Sequence, residues 1–294
     1  MKVPCVQIAR ALKTTLIQRV RKLKKKRQTP KLVTILVGNS SEQISFVKIK
    51  QNVARSLGVK FEFVHLKDTP QFESFANLLR EKANDSETTG VIIQQPLPSR
   101  LFTETLYNFI PREKEIEGHH SKSPFLPPLG QAILTVLKYV SQPKTPLKHL
   151  WIDPKQDFVF FKNALKQKKI VIVGRGLTGG QPICKTLSYF KLNFLNTNSH
   201  TDHPEEYFKE ADIIITAVGK KVIIPELLKF GAVLINVGLR HEGRKLKGDY
   251  DEKEVKSIAS YYTETPRGIG PLDVLYLFKN LIDSTELQKY KRSS

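Results

Sequence analysis

Cysteine is nearly missing from this chain. Cys5 and Cys184 are the only two in 294 residues, far apart and in no metal-like spacing. That excludes a fold stapled by disulfides and points to a reducing compartment, read here as the cytoplasm. Long apolar runs are missing too. No stretch approaches the ~18 residues of a membrane span. The opening residues, MKVPCVQIARALK, lack the apolar centre of a signal peptide, so no membrane partner is expected. Internal repeats and low-complexity tracts are absent. Acidic residues are scarce beside basic ones, 28 against 48, which leaves a formal net charge of +20. Solvated lysine faces, attraction of an acidic ligand or binding of nucleic acid would each account for that surplus. Nucleic acid is the least favoured, because aromatics are not interleaved with the basic residues. The basic run at 22–31, KLKKKRQTPK, reads as a helix end and a loop.

What is present is a chain that can fold. Hydrophobic residues make up 40%, enough for a real core, and the length suits two domains. The most informative stretch is 169–182, KIVIVGRGLTGGQP. Ile170, Val171, Ile172 and Val173 form a short β-branched run, as a buried parallel strand should. Gly174, Gly176 and Gly179 then give G-x-G-x-x-G. The first permits a tight turn, the second lets a phosphate approach the backbone, and the third lets a helix pack close to the strand. Free amides at such a helix start attract anions. Two further apolar strands follow at 212–218 and 233–237. The pattern predicts a nucleotide-binding α/β unit of Rossmann type.

In chain order, apolar spacing predicts helices over 6–23, 42–57, 72–84, 103–109 and 131–140, with strands over 32–37, 59–66 and 89–94. Phe46 and Lys50 lie four apart and share a helix face. Gln94 ends a buried strand, where α/β sheets meet their ligands. The loop 111–123 carries Lys114-Glu-Ile-Glu-Gly118 and the pair His119-His120. No third ligand accompanies the histidines at fitting spacing, so no metal is expected and the loop reads as solvated. The stretch 141–169 reads as a linker or insertion. Residues 197–201, TNSHT, fall where a second βα loop meets the adenosine end of a dinucleotide. Ser199 stands there in place of the acidic residue typical of NAD selection. With Arg175 inside the first glycine turn, that favours NADP over NAD. A last apolar helix spans 272–282, and the polar tail after it is expected to fray.

These residues together resemble the methylenetetrahydrofolate dehydrogenase/methenyltetrahydrofolate cyclohydrolase family, of the bifunctional FolD type. VGNSSEQISFVKIK, TGVIIQQPLP, PREKEIEG, IVGRGLTGGQP, ADIIITAVGK, GAVLINVG and GIGP come in family order over almost the whole chain. The resemblance implies an α/β fold of two domains with a ligand cleft between them. A catalytic, folate-binding domain would span 1–140 and be completed by the helix at 271–294. A Rossmann-like NADP domain would span 141–270, with an insertion near 141–169. Homodimers are usual in the family.

The resemblance also implies roles. The family's aromatic-x-x-x-lysine helix matches Phe46 and Lys50, and its glutamine before P-L-P matches Gln94. Lys50 and Gln94 would be catalytic, while Phe46 and Glu117 would hold the folate. Gly174, Arg175, Gly176, Gly179 and Ser199 would hold NADP. The implied reactions are oxidation of 5,10-methylenetetrahydrofolate to the methenyl cation, then hydrolysis to 10-formyltetrahydrofolate, a one-carbon donor for purine biosynthesis. A lysine that handles the proton of the attacking water must spend time as a neutral amine. Two departures bear on this. Phenylalanine replaces the family's tyrosine at 46, removing a hydroxyl. Glutamate replaces aspartate at 117, moving the carboxylate by roughly one bond length. The hydrolytic half is therefore expected to be retained or weakened. The competing expectation is a non-catalytic folate- or nucleotide-binding or assembly protein on the same fold.

Overall fold

The apolar positions at the start of the chain do build a helix. In the computed structural model, α1 (Cys5–Lys25) buries Ile8, Leu12, Leu16, Val20 and Leu23 along one stripe. The structure describes every residue except Glu104, Ser121, Arg244 and Ser294. Its backbone divides into two compact units, one of Lys13–Pro128 with Val274–Ser294, the other of Met1–Leu12 with Leu129–Asp273.

In the first unit, β1 (Lys31–Val37), α2 (Ser41–Leu57), β2 (Lys60–Leu66), α3 (Phe72–Asn84) and β3 (Gly90–Ile93) follow in order. The strands form a parallel sheet in the order β2-β1-β3. β1 is central and buried from Leu32 to Val37, so it reads as an apolar run broken only by Thr34. Val33, Ile35 and Val37 pack with Phe75, Leu79 and Ala83 of α3 in one core. The chain leaves β1 for β2 on one side and later returns as β3 on the other. The carboxyl end of β1 is thus a topological switch point, where open α/β sheets bind ligands. The helix expected over 103–109 is only a 3₁₀ turn, Leu106–Phe109, and Glu104 lies outside the described residues.

In the second unit, α4 (Pro128–Ser141), α5 (Asp157–Ala164), β4 (Ile170–Val173), α6 (Gly180–Tyr189), β5 (Leu195–Thr197), α7 (Pro204–Glu210), β6 (Ile213–Thr216) and β7 (Val233–Asn236) follow in order. A small antiparallel pair, β8 (Arg240–Glu242) and β9 (Lys245–Lys247), precedes α8 (Glu252–Val255) and β10 (Tyr261–Tyr262). The main sheet is parallel, in the order β10-β7-β6-β4-β5. β4 is its switch strand, with β5 on one side and β6 on the other.

The stretch 141–169 is folded, which corrects its reading as a linker. Leu150, Ile152 and Phe161 are fully buried. Lys138 of α4 pairs with Asp157 at the start of α5 at 2.7 Å. Phe161 meets Phe190 edge to face at 5.3 Å. The residues between the prolines carry no regular period, because a short helix contributes only a few of these anchors.

The last helix is longer than expected: α9 (Gly270–Ser293) runs well past 282. Asn280 Nδ2 donates to the carbonyls of Ile116 and Leu126, at 2.8 and 3.0 Å. Ser284 Oγ donates to Thr89 O at 2.7 Å. Arg19 pairs with Asp283 and Glu286 at 2.6 and 2.7 Å. Asp283, Ser284 and Glu286 look solvated in the sequence, yet each faces a protein partner.

Candidate active site

At the carboxyl edge of the small sheet, α2 follows β1 and carries Phe46 and Lys50, while Gln94 follows β3 directly. Ser40 caps α2, accepting from the amide of Gln43. Gln43 Nε2 in turn donates to Pro96 O at 2.8 Å, fastening the start of α2 to the loop after β3. The two elements bring their polar residues together: Lys50 Nζ donates to Gln94 Oε1 at 2.9 Å. Gln94 is buried, and its Nε2 donates to Gln95 O at 3.0 Å. That second bond fixes which end of the amide faces the lysine, namely its oxygen. Phe46, one turn before Lys50, is half-buried.

Glu117 comes from the 111–123 loop, which is pinned to β3 by a bridge between Glu115 and Val91. The Glu117 side chain is 21% exposed, yet its Oε2 is enclosed and has no hydrogen-bond partner. Burial holds its carboxyl above the usual range, and the charge of Lys50 pulls the other way. Neighbouring Glu115 is buried, and burial raises it as well, while His119 and two backbone amides oppose the rise. Those amides are Glu117 N and His120 N, which donate to its two oxygens at 2.9 and 3.0 Å.

The histidine loop is not the solvated segment expected. His119 stacks on Tyr107 with ring centroids 4.4 Å apart and 18° between planes, and its Nε2 lies 3.9 Å from Glu117 Oε2. Tyr107 OH accepts from Gln95 Nε2 at 2.9 Å. No sequence pattern links positions 95, 107 and 119, so spacing alone conceals this contact. Among the described residues no cluster of three or more His, Cys, Asp or Glu could hold a metal ion, and no helix is long and apolar enough to cross a membrane.

The glycine turn after β4 fits a dinucleotide. Gly174 has φ +115°, and a Cβ there would sit 2.7 Å from Ala217 O. Gly179 lies against Ala217, where a Cβ would come within 2.9 Å of the alanine methyl. The tightest position is Gly180, which the G-x-G-x-x-G reading passes over: a Cβ there would meet Gly174 O at 2.0 Å. Gly176 is the opposite case, exposed and with nothing within 4 Å of a Cβ. Open space over a backbone at the start of α6 is what a phosphate needs. Arg175 is exposed, and its Nε donates to Asn196 Oδ1 at 3.1 Å. Asn196 is itself anchored through Nδ2 to the carbonyls of Ile172 and Gly174. Ser199 lies exposed beyond β5. The residue that holds Arg175 is thus Asn196, a partner the sequence does not single out.

Comparison with known proteins agrees with this geometry. Residues 4–117 match the tetrahydrofolate dehydrogenase/cyclohydrolase catalytic domain, and residues 159–289 match the NAD(P)-binding domain of the same family. The bifunctional protein FolD of Staphylococcus carnosus is 34% identical over 288 residues, covering 96% of each chain. Among solved structures, the FolD methylenetetrahydrofolate dehydrogenase/cyclohydrolase of Campylobacter jejuni superposes with a TM-score of 0.85 at 24% identity, over 98% of this chain and 99% of that one. The Trypanosoma brucei FolD, solved with NADP and an inhibitor, superposes with a TM-score of 0.78 at 20% identity, over 98% of each chain.

Proposed function

The chain belongs to the tetrahydrofolate dehydrogenase/cyclohydrolase family, and from that premise we propose that it performs both reactions with Lys50 and Gln94 as its catalytic pair. The observation that carries the assignment is the 2.9 Å bond from Lys50 Nζ to Gln94 Oε1 at the switch point of the small sheet. A non-catalytic binding protein is not favoured, since such a protein has no use for this pair. In this reading the folate and the catalytic residues belong to 1–140 with 271–294, and the cofactor belongs to 141–270.

Gln94 Oε1 accepts from Lys50 Nζ, which in the neutral amine occupies one of two N–H donors and so aims the lone pair. In the hydrolytic step, a water oxygen bonds to the methenyl carbon and loses a proton to the Lys50 amine. The bond from that carbon to N5 then opens as Lys50 returns the proton to N5, the hydroxyl on the carbon releases its remaining proton to solvent, and the carbon stays on N10 as formyl. The enclosed carboxylate of Glu117 accepts from the amino and ring N–H groups of the pterin, which repays its desolvation. The Phe46 ring stacks on the aminobenzoate. Without a hydroxyl at 46, the lysine is oriented by Gln94.

The glycine turn suits NADP. Gly174, Gly179 and Gly180 give the turn its shape, the open backbone at Gly176 admits the pyrophosphate, and Arg175 with Ser199 takes the 2′-phosphate. Bound NADP supplies the acceptor for the hydride that leaves the methylene carbon. NAD is the less favoured cofactor. A cytoplasmic homodimer feeding purine biosynthesis completes the reading.

The test is Lys50→Ala. Methenyl hydrolysis should fall by at least ~100-fold, as for loss of a general acid–base group, with the variant still binding NADP. An unchanged hydrolytic rate would remove Lys50 from the assignment.

A further inference from the structure

Glu117 has a titratable neighbour with no task in the proposed mechanism. That neighbour is His119, which is packed in place on Tyr107. We propose that His119 is a positioning residue for Glu117, and that its protonation tightens folate binding. This rests on the reading that Glu117 holds the pterin.

Three observations support it. First, His119 Nε2 stands 3.9 Å from Glu117 Oε2, with the two side chains only 18% and 21% exposed. That is an ion-pair distance, beyond hydrogen-bond range. Second, Oε2 is enclosed and unpartnered, so the charge nearest to it acts with little solvent screening. Third, the imidazole is held on its face by Tyr107, and Tyr107 is anchored through its hydroxyl to Gln95, the neighbour of Gln94. The stack therefore carries the position of the β3 end to the Glu117 carboxylate. Glutamate, with its extra methylene, reaches toward this ring, so position 117 and position 119 form one unit.

The charged and titratable groups around the pair come from several elements. Lys50 faces Glu117 from α2, Glu115 faces both from the same loop, Tyr107 faces them from the 3₁₀ turn, and His120 follows directly. The sign follows from them. Glu117 must be ionised to accept from the pterin. A protonated His119 adds a second positive charge beside Lys50 and favours that form. As pH rises through the imidazole range, this support is lost and folate binding weakens. As pH falls far enough to protonate Glu117, binding weakens again. KM for the folate substrate therefore has a minimum, and its alkaline limb belongs to His119.

The experiment measures KM for 5,10-methylenetetrahydrofolate from pH 5.5 to 8.5 (~3 units spanning the unperturbed imidazole value) for the native enzyme and for His119→Gln, His119→Phe and Glu117→Gln. His119→Phe keeps the stacked ring without its charge, and KM for NADP serves as the check on folding. Both His119 variants should raise the folate KM by roughly three- to tenfold at the acid end of the minimum and should lose the alkaline limb, with KM for NADP unmoved. Glu117→Gln should raise the folate KM more. If Glu117→Gln raises it while the His119 variants keep the native KM and its alkaline limb, the proposal is overturned and the pterin reading stands. If Glu117→Gln leaves KM unchanged, the pterin reading itself falls.

Discussion

The Lys50 ammonium donates to the side-chain oxygen of Gln94 at 2.9 Å, although the two residues lie 44 positions apart. The bond exists because β1 and β3 are neighbours in the sheet and both end at the same edge. Removing the acceptor should free the amine without deleting it. Gln94→Ala should therefore lower the hydrolytic kcat by at least ~100-fold. The dehydrogenase rate should fall less, because hydride transfer relies on positioning. Equal losses of kcat in both assays would show that Gln94 serves both steps alike and would contradict a specific role in hydrolysis.

Two glycines of the same turn should fail in different ways. Gly180→Ala puts a methyl against the carbonyl of Gly174, 2.0 Å away, and should cost about 3 kcal/mol of stability. Gly176→Ala meets nothing within 4 Å and should fold normally. Its methyl occupies the space a phosphate needs, so KM for NADP should rise about tenfold, the size of one lost charge-assisted contact. Thermal unfolding and cofactor titration on both variants check the pair. Equal stability would refute the close approach at Gly180.

Arg175 is held over the turn by Asn196 rather than by a carboxylate, which leaves its charge available. Arg175→Ala should weaken NADP by about 1.5–3 kcal/mol, or roughly ten- to a hundredfold, and NAD far less. A parallel loss for both cofactors would place Arg175 on the pyrophosphate and not on the 2′-phosphate.

Glu117 is kept at some cost to the unliganded fold. Burial raises its carboxyl above the unfolded value, so the native state binds the proton more tightly than the unfolded chain does. The sign is then fixed: the contribution to stability is fully present below the ordinary carboxylate range and is lost as pH rises through the raised native value. Glu117→Gln should remove this loss. At neutral pH the unliganded variant should melt a few degrees higher, equivalent to ~1 kcal/mol, while folate no longer protects it. A lower melting temperature would contradict the burial argument.

Much of this was legible in the residues. The central strands are mostly apolar runs, so β1, β4, β6 and β7 stand out, and the glycine turn follows β4 as its spacing demands. Phe46 and Lys50 were visible as a helix face, and Gln94 as a strand end. What stayed hidden has one physical origin: side chains whose partners are distant in sequence. Residues 141–169 look like a linker because their anchors, Leu150, Ile152 and Phe161, follow no period. Asp283 and Ser284 look solvated because they are polar, while their bonds to Arg19 and Thr89 are distant in sequence. His119 reads as loop polarity until Tyr107 is found beneath it. Gly180 is missed because a spacing template counts to Gly179 and stops.

The most direct test is a paired assay on the purified native chain and on Lys50→Ala. One arm follows NADP-dependent formation of the methenyl product, and the other follows hydrolysis of that product above its uncatalysed rate. The native chain should perform both, and Lys50→Ala should lose hydrolysis while still binding NADP. A native chain that binds NADP and folate but turns over neither reaction would contradict the account.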